Sequence, residues 1–378
     1  MGSSLVHDGS NLMPTVTFAL RGDAITKPGG DSTKVARYAE ALRSRGWDSN
    51  TVTSSHELRD SRADIVHIVN LDLPLENLAY TREAKRSGSP VVLSSIRHPV
   101  DGVRSMYDHG ADRMYRRTRL AKVPFNRAVA LREQLKLAKR GNLRAALTTH
   151  GFHQAQANLL TTVDAVLPMA EGERSALERD FSLPKFTYVV RNGQSFTVAT
   201  ESTLGSPDAT FDLVAVGRVE PRKNTLELAR AADAAKMSIL ILGAVNPLHT
   251  EYVSEFHQLA ERSKYVTYAG RVDHSELPHQ MRRARVYVNA AWFEVVSQAD
   301  VEAASLGMPI VTTMHSYIED ALGNGVARLD PREVALARGD ALRDIVDTAR
   351  LAPMPKRRDW DLCGDDLVTA YSSVLEQR

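Results

Sequence analysis

Two glutamates eight positions apart stand in a stretch that otherwise reads small and apolar. It runs Trp292-Phe293-Glu294-Val295-Val296-Ser297-Gln298-Ala299-Asp300-Val301-Glu302, then Ala303-Ala304-Ser305-Leu306-Gly307-Met308-Pro309. Glu294 follows a strand-like run, and Glu302 falls inside a helix that Gly307 and Pro309 end. The turn between them sets the backbone N–H groups of Gln298 and Ala299 at a helix N-terminus, which favours phosphate. One carboxylate can accept hydrogen bonds from a sugar and the other from a ribose. On its small, apolar helix Glu302 needs a partner, because a partly buried acid is costly unless hydrogen-bonded. Vicinal hydroxyls provide one. Two solvated surface acids would show the same spacing.

A second constellation is Val216-Gly217-Arg218-Val219-Glu220-Pro221-Arg222-Lys223-Asn224. It follows an apolar run and opens a helical one. Gly217 permits a tight turn, and Asn224 with Glu227 three residues on reads as a capping box. Arg218 and Lys223 suit a diphosphate, one as a planar fork and the other as a point charge. A solvated loop with ordinary surface charges fits the spacing equally well. Thr149-His150-Gly151-Phe152-His153 offers an H-x-x-H pair, but two histidines without a third ligand make a poor metal site. No D-x-D sits at a strand end, so no metal and no cofactor is expected.

The third feature is charge. Between residues 101 and 146 stand twelve Lys or Arg against four acids, a local +8 in a chain of net charge +2, which leaves −6 for the rest. Tyr107, Met114, Tyr115, Leu120, Phe125, Leu131 and Leu135 are interleaved with these cations. A basic amphipathic segment over 104–144 can lie on an anionic membrane, each cation adding roughly 1 kcal/mol. It also fits a solvated helical face. No nucleic-acid-binding motif accompanies it, and the remaining chain is acidic, so nucleic acid is not the expected partner.

Alternating elements must position these residues. Strands are predicted at Thr15–Leu20, Ile65–Val69, Pro90–Ser94, Asp164–Pro168 and Phe186–Val190. Ser32 or Asp31 would cap a helix over Thr33–Ser44. Glu201 to Thr210 reads as a linker. A second series places strands at Phe211–Val216, Ser238–Leu242, Tyr265–Ala269, Val286–Asn289 and Ile310–Thr313. Helices fit at Thr225–Lys236, Tyr252–Ser263, Ser275–Ala284 and Ser297–Leu306, and a last one at Asp361–Gln377. Strand–helix alternation argues for two α/β halves with parallel sheets, whose loops face a cleft between them.

The 378 residues suit two domains, and 43% apolar with 25% charged residues is ordinary for a globular protein. There is no run of eighteen apolar residues, and the N-terminus lacks the apolar stretch of a secretory signal. Cys363 is the sole cysteine, which excludes an intrachain disulfide and fits a reducing cytosol. The expected location is cytoplasmic, peripheral on the inner membrane face if the basic segment docks there.

Together these stretches resemble the retaining GT-B glycosyltransferases of family 4. Gly217-Arg218…Lys223-Asn224 is similar to that family's diphosphate loop, and Glu294 with Glu302 to its E-x7-E signature. Gly29-Gly30 resembles its N-terminal glycine loop, and Val190-Arg191-Asn192-Gly193 its segment before the linker. Trp360 with the last helix resembles its C-terminal crossover. The resemblance is strong over 211–313 and weak over 50–160. It implies two Rossmann-like domains: an acceptor domain over 13–200, a linker over 201–210, a donor domain over 211–355, and a helix over 356–378 crossing back.

It further implies a nucleotide-diphosphate sugar as donor and a hydroxyl acceptor (glycan, lipid-linked or small molecule). The activity implied is hexosyl transfer with retention, in bacterial surface polysaccharide or glycolipid synthesis. Arg218 and Lys223 would hold the diphosphate, Glu302 the ribose and Glu294 the donor sugar. Backbone near Val272 would touch the base, and Gly29 and Gly30 would admit the phosphates. The family carries a His near the reacting centre, and His98, in Ser95-Ile96-Arg97-His98-Pro99, matches by position, with His150 and His153 as rivals. One departure stands out: Ser297 replaces a usual glycine, which bears on sugar preference and activity. A nucleotide-sugar epimerase, or a non-catalytic partner that kept the fold, fits the same motifs. A purely membrane- or nucleic-acid-binding protein would leave the paired carboxylates unexplained.

Overall fold

The computed structural model describes residues 13–26, 29–59, 61–139, 151–194, 209–353 and 358–377, without the side chains of 133, 136, 137 and 139. Most of the expected linker, 201–208, lies outside the described residues, as do His150, Arg140 and Arg144.

Two six-stranded sheets are found, each with all its pairings parallel. The first uses β1 (Thr15–Ala19), β2 (Asp48–Val52), β3 (Ile65–Val69), β4 (Val91–Ser94), β5 (Ala165–Leu167) and β6 (Phe186–Thr187), in the order β2-β1-β3-β4-β5-β6. The second uses β7 (Phe211–Val216), β8 (Ile239–Leu242), β9 (Val266–Gly270), β10 (Ala284–Asn289), β11 (Ile310–Thr313) and β12 (Val326–Leu329), in the order β12-β11-β10-β7-β8-β9. The second order is the dinucleotide-fold order, which reverses between β7 and β10. The first reverses between β1 and β3. Ligands in such sheets bind beyond the strand C-termini at these reversals, where diverging loops leave a crevice.

Central strands explain why the pattern was readable. Ile65–Val69 and Val91–Ser94 are buried at every position, so they appear as short, largely apolar runs, with the buried His67 and Ser94 bonded to each other. Polar Asp48–Val52 escaped notice because it is an edge strand, mostly solvent-facing.

Several local expectations need correction. The first helix begins at Gly30, not Thr33, and neither Asp31 nor Ser32 caps it. Asp31 instead receives Arg21 Nε at 2.7 Å. The capping box at Asn224 does not form: Asn224 is left-handed (φ +57) with no side-chain cap, and its amide donates to Pro331 O at 3.0 Å. Glu227 pairs with Arg230. The Phe186–Val190 strand shrinks to Phe186–Thr187, and the Ser275–Ala284 helix to Leu277–Met281.

The C-terminal helix, Trp360–Leu375, buries Cys363, Leu367, Ala370, Tyr371 and Val374 in the same core as Val16, Phe18, Tyr38 and Leu42 of the first sheet. Tyr371 Oη and His67 Nδ1 lie 2.6 Å apart. A side chain at Gly193 would collide with the backbone of Trp360, so this glycine admits the returning chain.

Candidate functional site

The loop after β7 starts at Gly217, whose φ of +154° is glycine territory. A short 3₁₀ turn, Pro221–Lys223, follows. The loop after β10 lies against it, pinned by Trp292 N donating to Arg222 O (2.9 Å), and is held on its other side to the loop after β11 by Glu294 N donating to His315 O (3.0 Å). Lys223 Nζ thereby reaches Glu294 Oε1 at 2.5 Å, and Arg222 Nη1 reaches the same oxygen at 3.3 Å. Arg222 Nε stands 3.3 Å from Glu220 Oε1. Burial alone would raise the Glu294 carboxyl, but Lys223 and Arg222 outweigh it and hold the group down at about 2. Buried charges require such compensation. Arg218 sits at the rim instead, its side chain 53% exposed and 3.7 Å from Glu220. Arg222 was missed, although it adjoins Lys223 in sequence, because only the turn decides which cation faces inward.

Ser297, at the family's glycine position, has φ −71° and ψ 123°, which any residue adopts. Its hydroxyl accepts from Asp300 N and caps the Gln298–Ser305 helix. The departure therefore has a local rationale: the serine replaces chain freedom with a cap. Asp300, fully buried, accepts from Tyr287 Oη and Asn289 Nδ2, each at 2.8 Å, and from Thr312 Oγ1 at 2.5 Å. These bonds wire the helix to β10 and β11. Glu302 is 5% exposed, with His274 Nε2 at 3.1 Å. Burial raises its pKa, opposed by His274 and Gln298. Val272 and Ala299 pack at the edge of the apolar cluster beneath this helix.

The first sheet supplies the facing wall. His98 follows β4, and its Nδ1 lies 2.7 Å from Asp72 Oδ2. Its ring meets Phe293 edge-on at 5.0 Å, which brings it next to Glu294. The Val100–His109 helix crosses closely here: a Cβ on Gly102 would lie 2.7 Å from the Cβ atoms of His315 and Phe293 and 2.8 Å from Trp292 O. Met106, Tyr107, Tyr115 and Ala128 of the first half share one apolar cluster with Trp292 and Phe293 of the second. Gln298 Nε2 donates to Gly193 O at 3.1 Å, and Gly172 N to Asp320 Oδ2 at 2.8 Å.

The structure thus gathers His98, Glu294 and Lys223 at one end of the cleft. Gly29, the N-cap of the Gly30–Arg43 helix, is tight against Asp31 and Arg21, whereas a Cβ at Gly30 would meet open space. Arg37 of that helix opposes, weakly, the effect of burial on Glu302. His153 stacks on Phe181 at 4.6 Å, which gives it a packing role. Asp72, Glu173 and His274 were not singled out by sequence, since none belongs to a motif and each acts on a residue distant in the chain.

Comparison with known proteins relates the second half of the chain to a family. Residues 210–347 match the model for glycosyl transferases group 1. The curated relative "O-antigen chain mannosyltransferase B" of Escherichia coli is 25% identical over 168 residues, 41% of this chain and 44% of that protein. The match therefore spans less than half of the relative's length. Among solved structures, a sucrose-phosphate synthase from Thermosynechococcus elongatus superposes with TM-score 0.63 at 13% identity, covering 96% of this chain and 97% of that one. HepE from Anabaena, crystallised with UDP and glucose, superposes with TM-score 0.58 at 13% identity, covering 96% and 98%. A lipopolysaccharide outer core galactosyltransferase gives 0.53 at 11% identity, covering 96% and 97%. The chain has the GT-B fold, and the stretch similar to glycosyl transferases group 1 lies in its second half.

Proposed function

We propose that this protein is a retaining glycosyltransferase that moves a hexosyl group from a nucleotide-diphosphate sugar to a hydroxyl acceptor. The observation that carries the reading is the Lys223–Glu294–Arg222 cluster at the β7/β10 reversal, with Glu302 on the adjoining helix and His98 on the opposite wall. In this reading Lys223 and Arg218 hold the diphosphate, aided by first-turn N–H groups of Gln298 and Ala299. They stabilise the charge that grows on the leaving phosphate. Glu302 accepts the ribose hydroxyls, backbone near Val272 meets the base, and Gly29 and Gly30 admit the phosphates from the first half. Glu294 and His98 face the sugar. Held by two cations, Glu294 is a poor nucleophile, which favours attack of the acceptor on the face the diphosphate leaves, and hence retention. No step in this scheme requires a metal.

The acceptor we assign to surface polysaccharide or glycolipid synthesis, a field in which the matched O-antigen relative works. The exposed face of the Arg113–Leu120 helix adds support. Arg113, Arg116, Arg117, Arg119 and Leu120 are exposed, Leu120 at 73%. Such a face suits an anionic membrane where lipid-linked acceptors reside. No helix among the described residues is long and apolar enough to cross a membrane.

The test is thermal shift against UDP, GDP, ADP and TDP. One of them should stabilise the protein, and Glu302→Ala should weaken its binding by about tenfold, the scale of a lost hydrogen bond to a charged group. Stabilisation by none removes the donor site. Turnover of the donor without any acceptor would instead favour an epimerase. Sedimentation with vesicles tests the basic face: equal binding to neutral and anionic lipid removes the electrostatic case.

A further inference from the structure

The loop that presents His98 is bent at an unfavourable residue. Ile96 has φ +41°, a region that β-branched side chains avoid. Such strain persists only where the surroundings over-determine it, and it concentrates at functional sites. Here the surroundings do so. Glu173, fully buried, accepts Ser95 Oγ at 2.6 Å and Arg97 N at 2.7 Å on one oxygen, and Met169 N at 2.7 Å on the other. Clamped on both sides of Ile96, the chain turns there and delivers His98 to the cleft.

A second device orients the imidazole. Asp72 Oδ2 lies 2.7 Å from His98 Nδ1, and Asp72 Oδ1 accepts from Gln156 Nε2 at 3.1 Å. The Gln156 amide is itself fixed: its oxygen accepts from Arg97 Nη1 at 3.3 Å, and its Nε2 also reaches Leu71 O at 3.3 Å. Although burial opposes ionisation, the hydrogen bond from His98 holds the Asp72 carboxyl below its usual range. A carboxylate has no proton to give, so Nδ1 must carry one, and in the neutral ring Nε2 is then an acceptor.

We propose that Asp72, oriented by Gln156, is a positioning residue that holds His98 in its Nδ1–H tautomer, so that Nε2 accepts a hydroxyl of the sugar lodged against Glu294. The sugar part of this inference rests on the donor reading above, while the tautomer part stands on geometry alone.

Substitution separates positioning from packing. Asp72→Asn keeps the shape, but Gln156 still donates to the remaining oxygen and so turns the new NH2 toward Nδ1. His98 must then accept there, and Nε2 acquires the proton. Asp72→Ala leaves Nδ1 without that partner and both tautomers accessible. A hydrogen bond lost at the reacting sugar costs roughly tenfold, so kcat should fall in the order wild type, Asp72→Ala, Asp72→Asn. The asparagine variant should lie several-fold below alanine, because it fixes the wrong tautomer where alanine leaves both accessible. A packing role gives the reverse order, because asparagine is the isostere.

The experiment joins those kinetics to ¹⁵N-detected histidine NMR of the substrate-free full chain, with His98 assigned by its loss in His98→Gln. The expected result is Nδ1–H in wild type and Nε2–H in Asp72→Asn. An Nε2–H wild type, or an asparagine variant as active as alanine, overturns the proposal. Nucleotide thermal shift on the same variants should match wild type. A wild type that binds no nucleotide defeats the donor reading, while the NMR spectrum still decides the role of Asp72.

Discussion

On the C-terminal wall of the cleft four charged side chains, Glu220, Arg222, Lys223 and Glu294, compensate one another within 3.3 Å at each successive contact. On the N-terminal wall a single buried carboxylate, Glu173, holds a strained loop through one hydroxyl and two backbone N–H groups. The first wall is built from ions, whose interactions answer to pH and, under the proposed function, to an incoming diphosphate. The second turns on directional hydrogen bonds to one carboxylate, with a single close ion pair, Arg97–Asp180 at 2.7 Å, bracing the same loop from behind. The proposed sugar transfer would use both: one wall that responds to developing charge, and one that keeps its geometry.

The strongest way to break this contrast is Glu294→Gln. It keeps the volume but leaves Lys223 and Arg222 without their shared anion. The rate of sugar transfer should fall by about 10²–10³-fold, the scale of a lost electrostatic group at a reacting centre. A rate within a few-fold of wild type, with the nucleotide that stabilises the protein, would put the chemistry elsewhere.

The same variant tests the ionic wall through acid. The folded Glu294 carboxyl sits at about 2, against an ordinary value of 4.5. A depressed carboxyl adds stability that is complete above its unfolded pKa and lost as pH falls toward the folded one. The stability gap between wild type and Glu294→Gln should therefore be fullest above about pH 4.5 and shrink by roughly 3 kcal/mol toward pH 2. Urea titrations across that range measure it, and a gap independent of pH would contradict the charge cluster.

Glu173→Gln probes the other wall. Glutamine must present an NH2 where one of the two oxygens accepted, which leaves at least one buried donor unpaired at a cost of about 1–3 kcal/mol. Tm should drop by several degrees, and His98 should lose its fixed ¹⁵N signature. Because burial raises the Glu173 pKa, its penalty runs opposite in pH to that of Glu294. An unchanged Tm would mean that the clamp is not strained.

Gly102→Ala tests whether the walls must meet. Its methyl would overlap His315, Phe293 and Trp292 O, and these atoms belong to the other half. Here kcat should fall by about tenfold through misplacement, while nucleotide affinity stays close to wild type. Full activity would show that catalysis does not use this closed contact.

Much of the sheet architecture was legible in the chain, and so was the placement of Glu294 after a strand and of Glu302 inside a short helix. Buried parallel strands leave apolar runs, and a glutamate on a helix of alanines is visible without coordinates. Edge strand β2 was illegible because its exposure leaves no apolar signature. At Asn224 a capping pattern misled, since a left-handed backbone and the carbonyl of Pro331 took its side chain instead.

What the sequence alone determined is therefore periodic and local: where strands and helices lie, and which loops carry unusual charge. The tertiary structure decided the partnerships. Lys223 and Glu294 are 71 positions apart, His98 and Asp72 are 26, and Ser95 and Glu173 are 78. Each pair meets only because strand order sets their loops side by side, Lys223 and Glu294 at the β7/β10 reversal and the other two pairs across neighbouring strands β3, β4 and β5. Hydrogen bonds and ion pairs act over a few ångströms of space, and separation along the chain carries no record of that distance.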